Sequence, residues 1–450
     1  MKKASSLEAM ARRIISITII TVILAAAAIP TIVENATTEK GTHDFAPIYH
    51  AAQAMATGHN IYSATAGLYI YPPFLAFIFQ PLALLPEHAA AIVWVILSAL
   101  LITLAALIAA KEITQRWAPE RRMDQSFVWL TAAIPILLAG EKIHADFRLG
   151  QTDCLMILGF ACVLHWMDSK PWLAGLAVGI TANMKYLSLI CVPYFVIKRN
   201  YRAAIAAIVS SVFLMIIPAL EVGFKEAARF AASAIGALVK MADLAPHHAV
   251  HGMKIPRTSW ERSVSITSMI MRATRTHGFP DWIAAVLVLL ALVAIVSAII
   301  LLPRRFGVIL FRPQTSAALP VSIAVPTLEW AAIIVLALVF SPQTTARHMV
   351  LLLLVYVVTV GVLFVQRQHP NRLVLISAMV ITSLGLSFPP RRLGIDEALW
   401  AWRAIAGVSW CAVFLLLVTL WYGSQTISQR TEAQRLSKPE TFGSVQPRSE

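Results

Sequence analysis

The sequence predicts an all-α protein that crosses a membrane many times. Of its 450 residues, 58% are hydrophobic and 13% are charged, a composition too apolar for a soluble domain. Apolar runs of about 20 residues, the length that crosses about 30 Å of hydrocarbon, recur along the chain. Examples are Ile14 to Val33, Ala89 to Ala110 and Trp282 to Leu302. Together these observations predict a polytopic bundle of about 10–12 membrane segments.

The distribution of charge excludes a nucleic-acid-binding protein. The net charge is +14, but the Lys and Arg residues form short clusters between apolar runs rather than a basic stripe with interleaved aromatic residues. Such clusters are typical of membrane topology signals. The four cysteines lie in apolar stretches without the close pairs of disulfide or metal sites, and are Cys154, Cys162, Cys191 and Cys411.

The basic connections set the predicted orientation, because short cytoplasmic loops are enriched in Lys and Arg. The N-terminus, residues 111–122, 198–202, 304–312 and 367–372, and the polar C-terminal tail are assigned to the cytoplasm. The outer loops are then residues 34–71, 141–150, 221–281, 341–347 and 389–403. The first apolar run is longer than the apolar part of a signal peptide, so it is predicted to be the first spanning helix.

One segment decides whether the predicted orientation is consistent along the chain. Residues 172–197 must return to the side from which they begin if the basic connections on both sides of them are cytoplasmic. Gly175, Gly179 and Asn183-Met184-Lys185 predict a breakable middle, and irregular backbone at membrane depth is tolerated where it lines a protein cavity. We therefore predict two half-length helices. The alternative is one tilted span, which would invert everything after it.

The remaining spans complete a transmembrane domain over residues 1–422. They are predicted at Phe127–Ala139, Thr152–Met167, Ala203–Leu220, Val321–Phe340, Met349–Val365, Leu373–Phe388 and Ile405–Trp421. Residues 423–450 are rich in Ser, Thr, Gln, Glu and Arg and are predicted to be a disordered cytoplasmic tail. No fixed-period repeat or paired broken segments indicate an inverted-repeat transporter.

The first outer loop contains the most specific candidate for chemistry. The stretch from Asp44 to Gly58 has apolar residues at helical spacing and a glycine stop, which places Asp44 at a helix start, where the helix dipole favours the ionised carboxylate. A simple helix cap is the alternative interpretation of Asp44.

Several separated motifs lie between about residue 40 and residue 350. They are Asp44 with Tyr49, Gly58 and Tyr62; Tyr71-Pro72-Pro73 followed by Pro81-Leu82 and Leu85-Pro86; Gly150-Gln151; Gly175 through Lys185; Arg262-Ser263 with Arg272; and Ser341-Pro342 followed by His348. In type and order these motifs resemble those of bacterial glycosyltransferase family 87, a group of polytopic GT-C enzymes that includes mannosyltransferases using polyprenyl-phosphate sugars.

The resemblance implies transfer of a hexose, with mannose as the best guess, from a polyprenyl-phosphate donor to a glycolipid or glycan. Asp44 would be the general base, and the configuration at the sugar carbon would invert. Cations would stabilise the charge on the leaving phosphate. The candidates are Lys185, His348, Arg262, Arg272 and Arg347. Lys185 could instead snorkel to an interface, and His348 could cap a helix.

Sugar or acceptor contacts are expected from Gln151, Tyr62, Tyr71 and Asp153. Gln151 could instead cap a helix, and the tyrosines could form an interfacial aromatic belt. Asparagine is common in the family where this chain has Asp153, which adds a possible second carboxylate. Asp153 could bind a divalent cation together with Asp44, but no dense Asp/Glu or Asp-x-Asp pattern supports such a site, so no metal or other cofactor is expected.

The expected partners are the sugar donor, the glycolipid or glycan acceptor and membrane lipids, without nucleic acid. The sequence has no segment large enough for a sugar-nucleotide-binding domain, so the donor should be lipid-linked. The cluster His247, His248 and His251 lacks a scaffold for metal binding and is predicted to be a flexible polar loop.

We expect a bacterial inner membrane protein with an extracytoplasmic site and both termini in the cytoplasm. The alternative function is a transporter or flippase for a lipid or amphiphile, which would require functional charges deep in several helices.

Overall fold

The computed structural model describes residues 2–37, 43–121, 124–242, 253–313, 323–365, 370–388 and 394–437. The described residues are mostly helical, and their β structure is limited to one isolated antiparallel bridge between Ser263 and Thr345. The α-helices are α1 (Lys2–Thr37), α2 (Phe45–Ala56), α3 (Pro73–Ala83), α4 (Glu87–Trp117), α5 (Gln125–Leu138), α6 (Gly140–Leu149), α7 (Asp153–Trp166), α8 (Pro171–Ala182), α9 (Cys191–Ile197), α10 (Tyr201–Ile216), α11 (Ala219–Ala242), α12 (Ile266–Thr276), α13 (Asp281–Arg304), α14 (Val325–Phe340), α15 (Leu352–Val365), α16 (Arg372–Ser387), α17 (Asp396–Ala404) and α18 (Gly407–Ser437). Short 3₁₀ helices occupy Pro119–Arg121, Tyr186–Ile190 and Ala346–Leu351.

The all-α polytopic fold class is confirmed. Five helical segments among the described residues are long and apolar enough to cross a membrane, or seven if each of two bent pairs is one span. The five are Leu7–Thr37, Glu87–Trp117, Asp281–Arg304, Ala346–Val365 and Gly407–Ala433. Six shorter apolar helices, among them α7, α8, α14 and α16, account for most of the other predicted segments. The predicted count of 10–12 therefore depends on helices of less than full spanning length.

The segment after α7 forms a broken hairpin, as predicted from its sequence. Helix α8 ends at Ala182, and the chain resumes as the 3₁₀ helix from Tyr186 and then α9. At its far end, the Asn200 side chain donates a 2.8 Å hydrogen bond to the carbonyl of Met167, which directly follows α7. The chain thus returns to the end of the bundle from which α8 begins. We call this end the Lys198 side and the opposite end, which holds Asp44, the Asp44 side.

The glycines of α8 have a different role from the one expected. Gly175 and Gly179 lie within the helix rather than at its break, which falls at residues 183–185. A Cβ atom at Gly175 would lie 2.4 Å from the Ala203 carbonyl oxygen, and one at Gly179 would lie 2.0 Å from Ser210 Oγ. Small residues let the backbones of two membrane helices approach closely. These glycines therefore pack α8 against α10.

The C-terminal helix extends further than the composition indicated. Helix α18 continues to Ser437, whereas the polar tail was expected to begin at residue 423. Ser424 and Thr426 are fully buried, and Arg430 donates to the Trp117 carbonyl at 2.5 Å. Packing against the end of α4 thus stabilises this polar stretch as helix. Residues 438–450 and the cluster His247, His248 and His251 lie outside the described residues.

Buried charges also join helices on the Lys198 side. Glu329 of α14 is fully buried and accepts hydrogen bonds from Tyr194 at 2.9 Å and from Lys198 at 3.2 Å. A second network joins Glu112, Arg116 and Asp168. The predicted span Val321–Phe340 thus carries a buried acidic residue, whose charge is compensated by partners that are distant in sequence.

Candidate active site

Asp44 stands at the start of α2 on the Asp44 side of the bundle. Its backbone N–H donates a 3.1 Å hydrogen bond to the Leu149 carbonyl, but its side chain does not cap α2. Instead, Oδ2 contacts the Arg347 guanidinium group and accepts a 2.6 Å hydrogen bond from the Gln151 amide. The side chain is 38% exposed. Since both contacts within the described residues go to Oδ2, Oδ1 is the oxygen left to receive a proton.

The turn between α6 and α7 brings the Gly150-Gln151 motif against α2. Gly150 has a positive φ of 63°, and a Cβ atom added there would lie 2.5 Å from the Phe45 side chain. Only glycine fits both the left-handed backbone and this close approach. The Gln151 backbone is held on both sides, because its N–H donates to the Asp146 carbonyl at 3.1 Å and its carbonyl accepts from the Trp94 indole at 3.1 Å.

The Gln151 side chain connects two charged groups. Its amide nitrogen donates to Asp44, and its amide oxygen accepts a 3.1 Å hydrogen bond from Lys185 Nζ. This assignment of the amide is the one that satisfies both neighbours, since the carboxylate only accepts and the ammonium group only donates. The side chain is buried, so its orientation is fixed before any substrate binds.

Lys185 occupies the break of the hairpin and points into the same cluster. Its backbone is extended, with φ −147° and ψ 132°, which releases the side chain from the helix. The Nζ atom lies 2.5 Å from Asp153 Oδ1. A lysine in a membrane segment costs about 2.5–3.5 kcal/mol on insertion scales, and the Asp153 and Gln151 contacts offset this cost. The ammonium group ends in a protein cluster, which differs from the snorkelling alternative.

Arg347 and His348 enter the cluster from the 3₁₀ helix before α15. His348 Nδ1 accepts a 3.1 Å hydrogen bond from the Thr345 backbone N–H, so a neutral imidazole carries its proton on Nε2. The ring interacts electrostatically with Lys185, Asp153 and Arg347. His348 thus caps its own helix through Nδ1 and keeps an Nε2–H, so capping does not exclude an additional role in binding phosphate.

The Arg262-Ser263 motif supports this helix through its backbone. Val264 donates a 2.9 Å hydrogen bond to the Thr344 carbonyl, and Ser263 pairs with Thr345 in the antiparallel bridge. These contacts fix the chain just before Arg347. Arg262 itself is exposed. The motif therefore lies next to the cluster without adding a guanidinium group to it.

Arg272 has a different environment. Its guanidinium group donates to the carbonyl oxygens of Trp260 and Ser263 at 3.0 and 3.1 Å, and to those of Arg403 and Ala404 at 2.9 and 3.3 Å. The first two bonds tie α12 to the segment before it, and the other two tie it to the end of α17. The structure therefore does not bring Arg272 into the cluster with Asp44.

The two candidate tyrosines differ in their position relative to the cluster. The Tyr71 phenol interacts electrostatically with Lys185, Arg347 and Asp44, and burial raises the pKa of this phenol, so it is a neutral hydroxyl at neutral pH. Tyr62 is fully buried, and its hydroxyl donates to backbone carbonyls of Tyr71 and Phe230. Tyr71 belongs to the cluster, whereas Tyr62 packs beneath it.

One further carboxyl group was not identified from the sequence. Asp146 of α6 is 1% exposed and interacts electrostatically with Asp153, Lys185 and Arg347. It falls in a stretch assigned to an outer loop, where a charged side chain is unremarkable. Its position four residues before Gly150, on the helix that ends directly before the motif, is the sequence signal that could have identified it.

The assembled cluster can accept a proton at Asp44 and hold an anion near Lys185, Arg347 and the His348 Nε2–H. Gln151 lies between these two functions. Among the described residues, no group of three or more His, Cys, Asp or Glu side chains is arranged to hold a metal ion. The chemistry that this arrangement fits is displacement of an anionic leaving group by a hydroxyl nucleophile.

Comparisons with known proteins agree with this chemistry. The model of glycosyltransferase family 87 matches residues 69–342. The chain is 26% identical over 82% of its length, and 78% of the relative's, to a polyprenol-phosphate-mannose-dependent alpha-(1-2)-phosphatidylinositol mannoside mannosyltransferase of Mycobacterium tuberculosis. It is 31% identical to the corresponding pentamannoside mannosyltransferase of that species over 31% of each chain.

A third similar protein is an alpha-(1->3)-arabinofuranosyltransferase of Mycobacterium tuberculosis, 26% identical over 37% of this chain and 39% of the relative. The matches to it and to the pentamannoside enzyme thus span less than half of those relatives. The family model, in contrast, covers more than half of this chain. The chain therefore belongs to glycosyltransferase family 87 and is a membrane glycosyltransferase.

Proposed function

We propose that this enzyme transfers a hexose, with mannose as the first candidate, from a polyprenyl phosphate to a glycolipid or glycan acceptor, and that Asp44 is the general base. The observation that carries the proposal is the arrangement of Asp44, whose Oδ2 is held by Arg347 and Gln151 while Oδ1 stays available beside a cationic cluster. The names of the relatives support mannose and a polyprenol phosphate donor.

The proposed reaction uses these groups as follows. An acceptor hydroxyl gives its proton to Asp44 Oδ1 as its oxygen attacks the anomeric carbon of the donor. The bond between that carbon and the phosphate oxygen breaks, and its electron pair stays on the phosphate. In this step the hydroxyl attacks from the face opposite the phosphate, so the anomeric configuration inverts. A correctly placed general base contributes about 100- to 10,000-fold to such a step.

The leaving phosphate gains negative charge, which Lys185, Arg347 and His348 are placed to stabilise. Lys185 is fixed by Asp153, and Arg347 by Asp44, so neither cation needs to be reorganised when the charge develops. Preorganised donors of this kind stabilise a transition state more than mobile ones do. The same groups make a divalent cation unnecessary in this proposal. The Tyr71 hydroxyl is available for a sugar or acceptor hydroxyl.

The location is part of the proposal. Polyprenyl-phosphate sugars are membrane lipids, so the Asp44 side must open to a leaflet that presents them. We assign this side to the outer face of a bacterial inner membrane and both termini to the cytoplasm. The basic connections on the Lys198 side, including residues 198–202, support this orientation.

The test uses purified full-length protein in detergent with a panel of synthetic polyprenyl-phosphate sugars and a membrane lipid extract as the acceptor. Wild type should transfer the sugar or hydrolyse the donor. Asp44→Asn should reduce either activity by at least about 100-fold, and its transfer product should be absent by mass spectrometry.

The matched control is Asp281→Asn, because Asp281 pairs with Arg275 outside the cluster. It should retain wild-type transfer. Full activity of Asp44→Asn would disprove the role of Asp44. Flip of the labelled donor across a vesicle bilayer without any transfer would instead support the transporter alternative.

A further inference from the structure

Two buried carboxyl groups lie side by side behind the donor-phosphate region. Asp146 and Asp153 are each 1% exposed, and the Asp146 carboxyl lies beside that of Asp153. Lys185 occupies Asp153 Oδ1. Among the described residues, no donor group reaches either oxygen of Asp146 or Oδ2 of Asp153. Buried polar atoms are rarely left without a partner, so the absence of a donor at these three oxygens requires an explanation.

The charges of the cluster do not balance if every carboxyl group is ionised. Its three carboxyl groups, Asp44, Asp146 and Asp153, face two permanent cations. Arg347 pairs with Asp44, and Lys185 pairs with Asp153. Asp146 therefore has no counter-ion of its own. An isolated buried carboxylate is so unfavourable that such a group takes up a proton instead.

In the part of the chain that the structure describes, the elements packed against α6 offer no other counter-ion for Asp146. On α6 itself, the buried Lys142 pairs with Glu141. Helix α5 contains no titratable side chain. In the half of α1 near the site, Glu34 is the one titratable group, and it pairs with His43 and Arg148. His348 uses Nδ1 to bind its own helix. The Cys154 thiol also faces Asp146 but can supply no positive charge.

We propose that Asp146 and Asp153 share a single proton, with Asp146 as the neutral acid that donates to Asp153 Oδ2 and Asp153 as the carboxylate that holds Lys185. Two carboxyl groups at one site behave in this way because they cannot both ionise. One shared proton provides the missing hydrogen bond. Asp146 is then a positioning residue that fixes Asp153 and, through it, Lys185.

The inference also concerns donor binding, and in that respect it rests on the proposed function. If both carboxyl groups were ionised, the phosphate would approach a region with an additional negative charge. With one proton shared, the Lys185 ammonium group that attracts the phosphate has one neighbouring carboxylate rather than two. The competing explanation is a divalent cation between the two carboxylates, which requires Asp146 to be ionised.

The first test is infrared spectroscopy of the purified full-length enzyme, which does not depend on activity. Wild type should show a carboxylic acid C=O stretch that shifts on H/D exchange. Asp146→Asn should lose this band. Asp153→Asn should lose it as well, because Asp146 would then ionise as the partner of Lys185. Asp44→Asn should keep it.

A wild-type spectrum without this band, or a band that persists in Asp146→Asn, would overturn the proposal. A band that persists in Asp153→Asn alone would show that burial, not sharing, keeps Asp146 neutral, and would also overturn it. Loss of the band when MgCl₂ or MnCl₂ is added to the wild type would favour the cation instead.

The second test separates a neutral from a charged Asp146 in donor binding. Asparagine keeps a neutral donor, whereas leucine removes it. We expect Asp146→Leu to raise the donor KM at least about tenfold. The donor KM of Asp146→Asn should be lower than that of Asp146→Leu by a factor of at least about five, and kcat should change less than KM in both variants. An equal rise of the donor KM in the two variants would contradict a neutral hydrogen-bond donor at position 146. If the wild type transfers no sugar, the proposed function fails, while the infrared result still decides the shared proton.

Discussion

The Gln151 amide donates a 2.6 Å hydrogen bond to Asp44 Oδ2. At its other end, the same side chain accepts a bond from Lys185. One buried amide thus sets the separation between the proposed base and the proposed phosphate-binding cation. The residue contributes little chemistry itself, yet both functional groups depend on its orientation.

Replacement of Gln151 should therefore affect both groups. Gln151→Leu leaves the Lys185 ammonium group and Asp44 each without one partly buried hydrogen bond, a loss of about 1–3 kcal/mol. We expect kcat/KM for transfer to fall about 10- to 100-fold, measured with saturating acceptor and varied donor. Gln53→Leu, an exposed glutamine on α2 outside the cluster, serves as the control. Equal kinetics in both variants would contradict the bridging role.

Lys185 should be tested by its charge. Lys185→Met removes the cation and leaves Asp153 unpaired, so the donor KM should rise at least about tenfold, since interactions of this type are worth about 1.5–3 kcal/mol. Lys185→Arg keeps the charge and should recover part of the affinity. The measurement is the initial rate at varied donor concentration. An unchanged donor KM in Lys185→Met would remove Lys185 from the phosphate site.

Arg272 should behave as a structural residue. Its guanidinium group binds two backbone carbonyls before α12 and two at the end of α17. Arg272→Met should therefore lower the thermal unfolding midpoint in detergent, while the donor KM of the folded fraction stays within about twofold. Arg262→Met, at an exposed position, should change neither quantity. A large rise in the donor KM without loss of stability would restore Arg272 to the phosphate site.

The contact between α8 and α10 should tolerate no added side-chain volume. At Gly179 a Cβ atom would lie 2.0 Å from Ser210 Oγ and 2.8 Å from the Ser211 backbone nitrogen. Gly179→Val should therefore destabilise the hairpin by about 1–3 kcal/mol and lower the unfolding midpoint. Leu176→Ala, on the exposed face of α8, is the control. Wild-type stability of Gly179→Val would mean that the two helices can separate without cost.

Transfer should not depend on a divalent cation. In the proposed mechanism, Lys185, Arg347 and His348 stabilise the leaving phosphate. Treatment of the enzyme with EDTA, followed by assay in the presence of the chelator, should leave the transfer rate within about twofold. A loss of activity that MgCl₂ or MnCl₂ restores would require a metal in the reaction.

The sequence by itself determined the membrane fold and much of the hairpin. Apolar runs of spanning length fix the fold class, since the bilayer accepts few alternatives to the helix. The demand that residues 172–197 return to one side predicted the broken hairpin, which the Asn200 contact with Met167 confirms. The choice of Asp44 and Lys185 came from the resemblance and from the cost of charge in apolar segments. Their chemical roles remain predictions.

Only the tertiary structure decided which polar residues meet. It joined Arg347 to Asp44, placed Gln151 between Asp44 and Lys185, and added Asp146 from a stretch read as an outer loop. It also assigned Arg272 to backbone carbonyls. Local patterns report whether a residue is apolar, charged or at a helix end. They cannot report which distant side chain satisfies a buried charge, because that partner is set by how the helices pack and by the need to compensate charge where water is excluded.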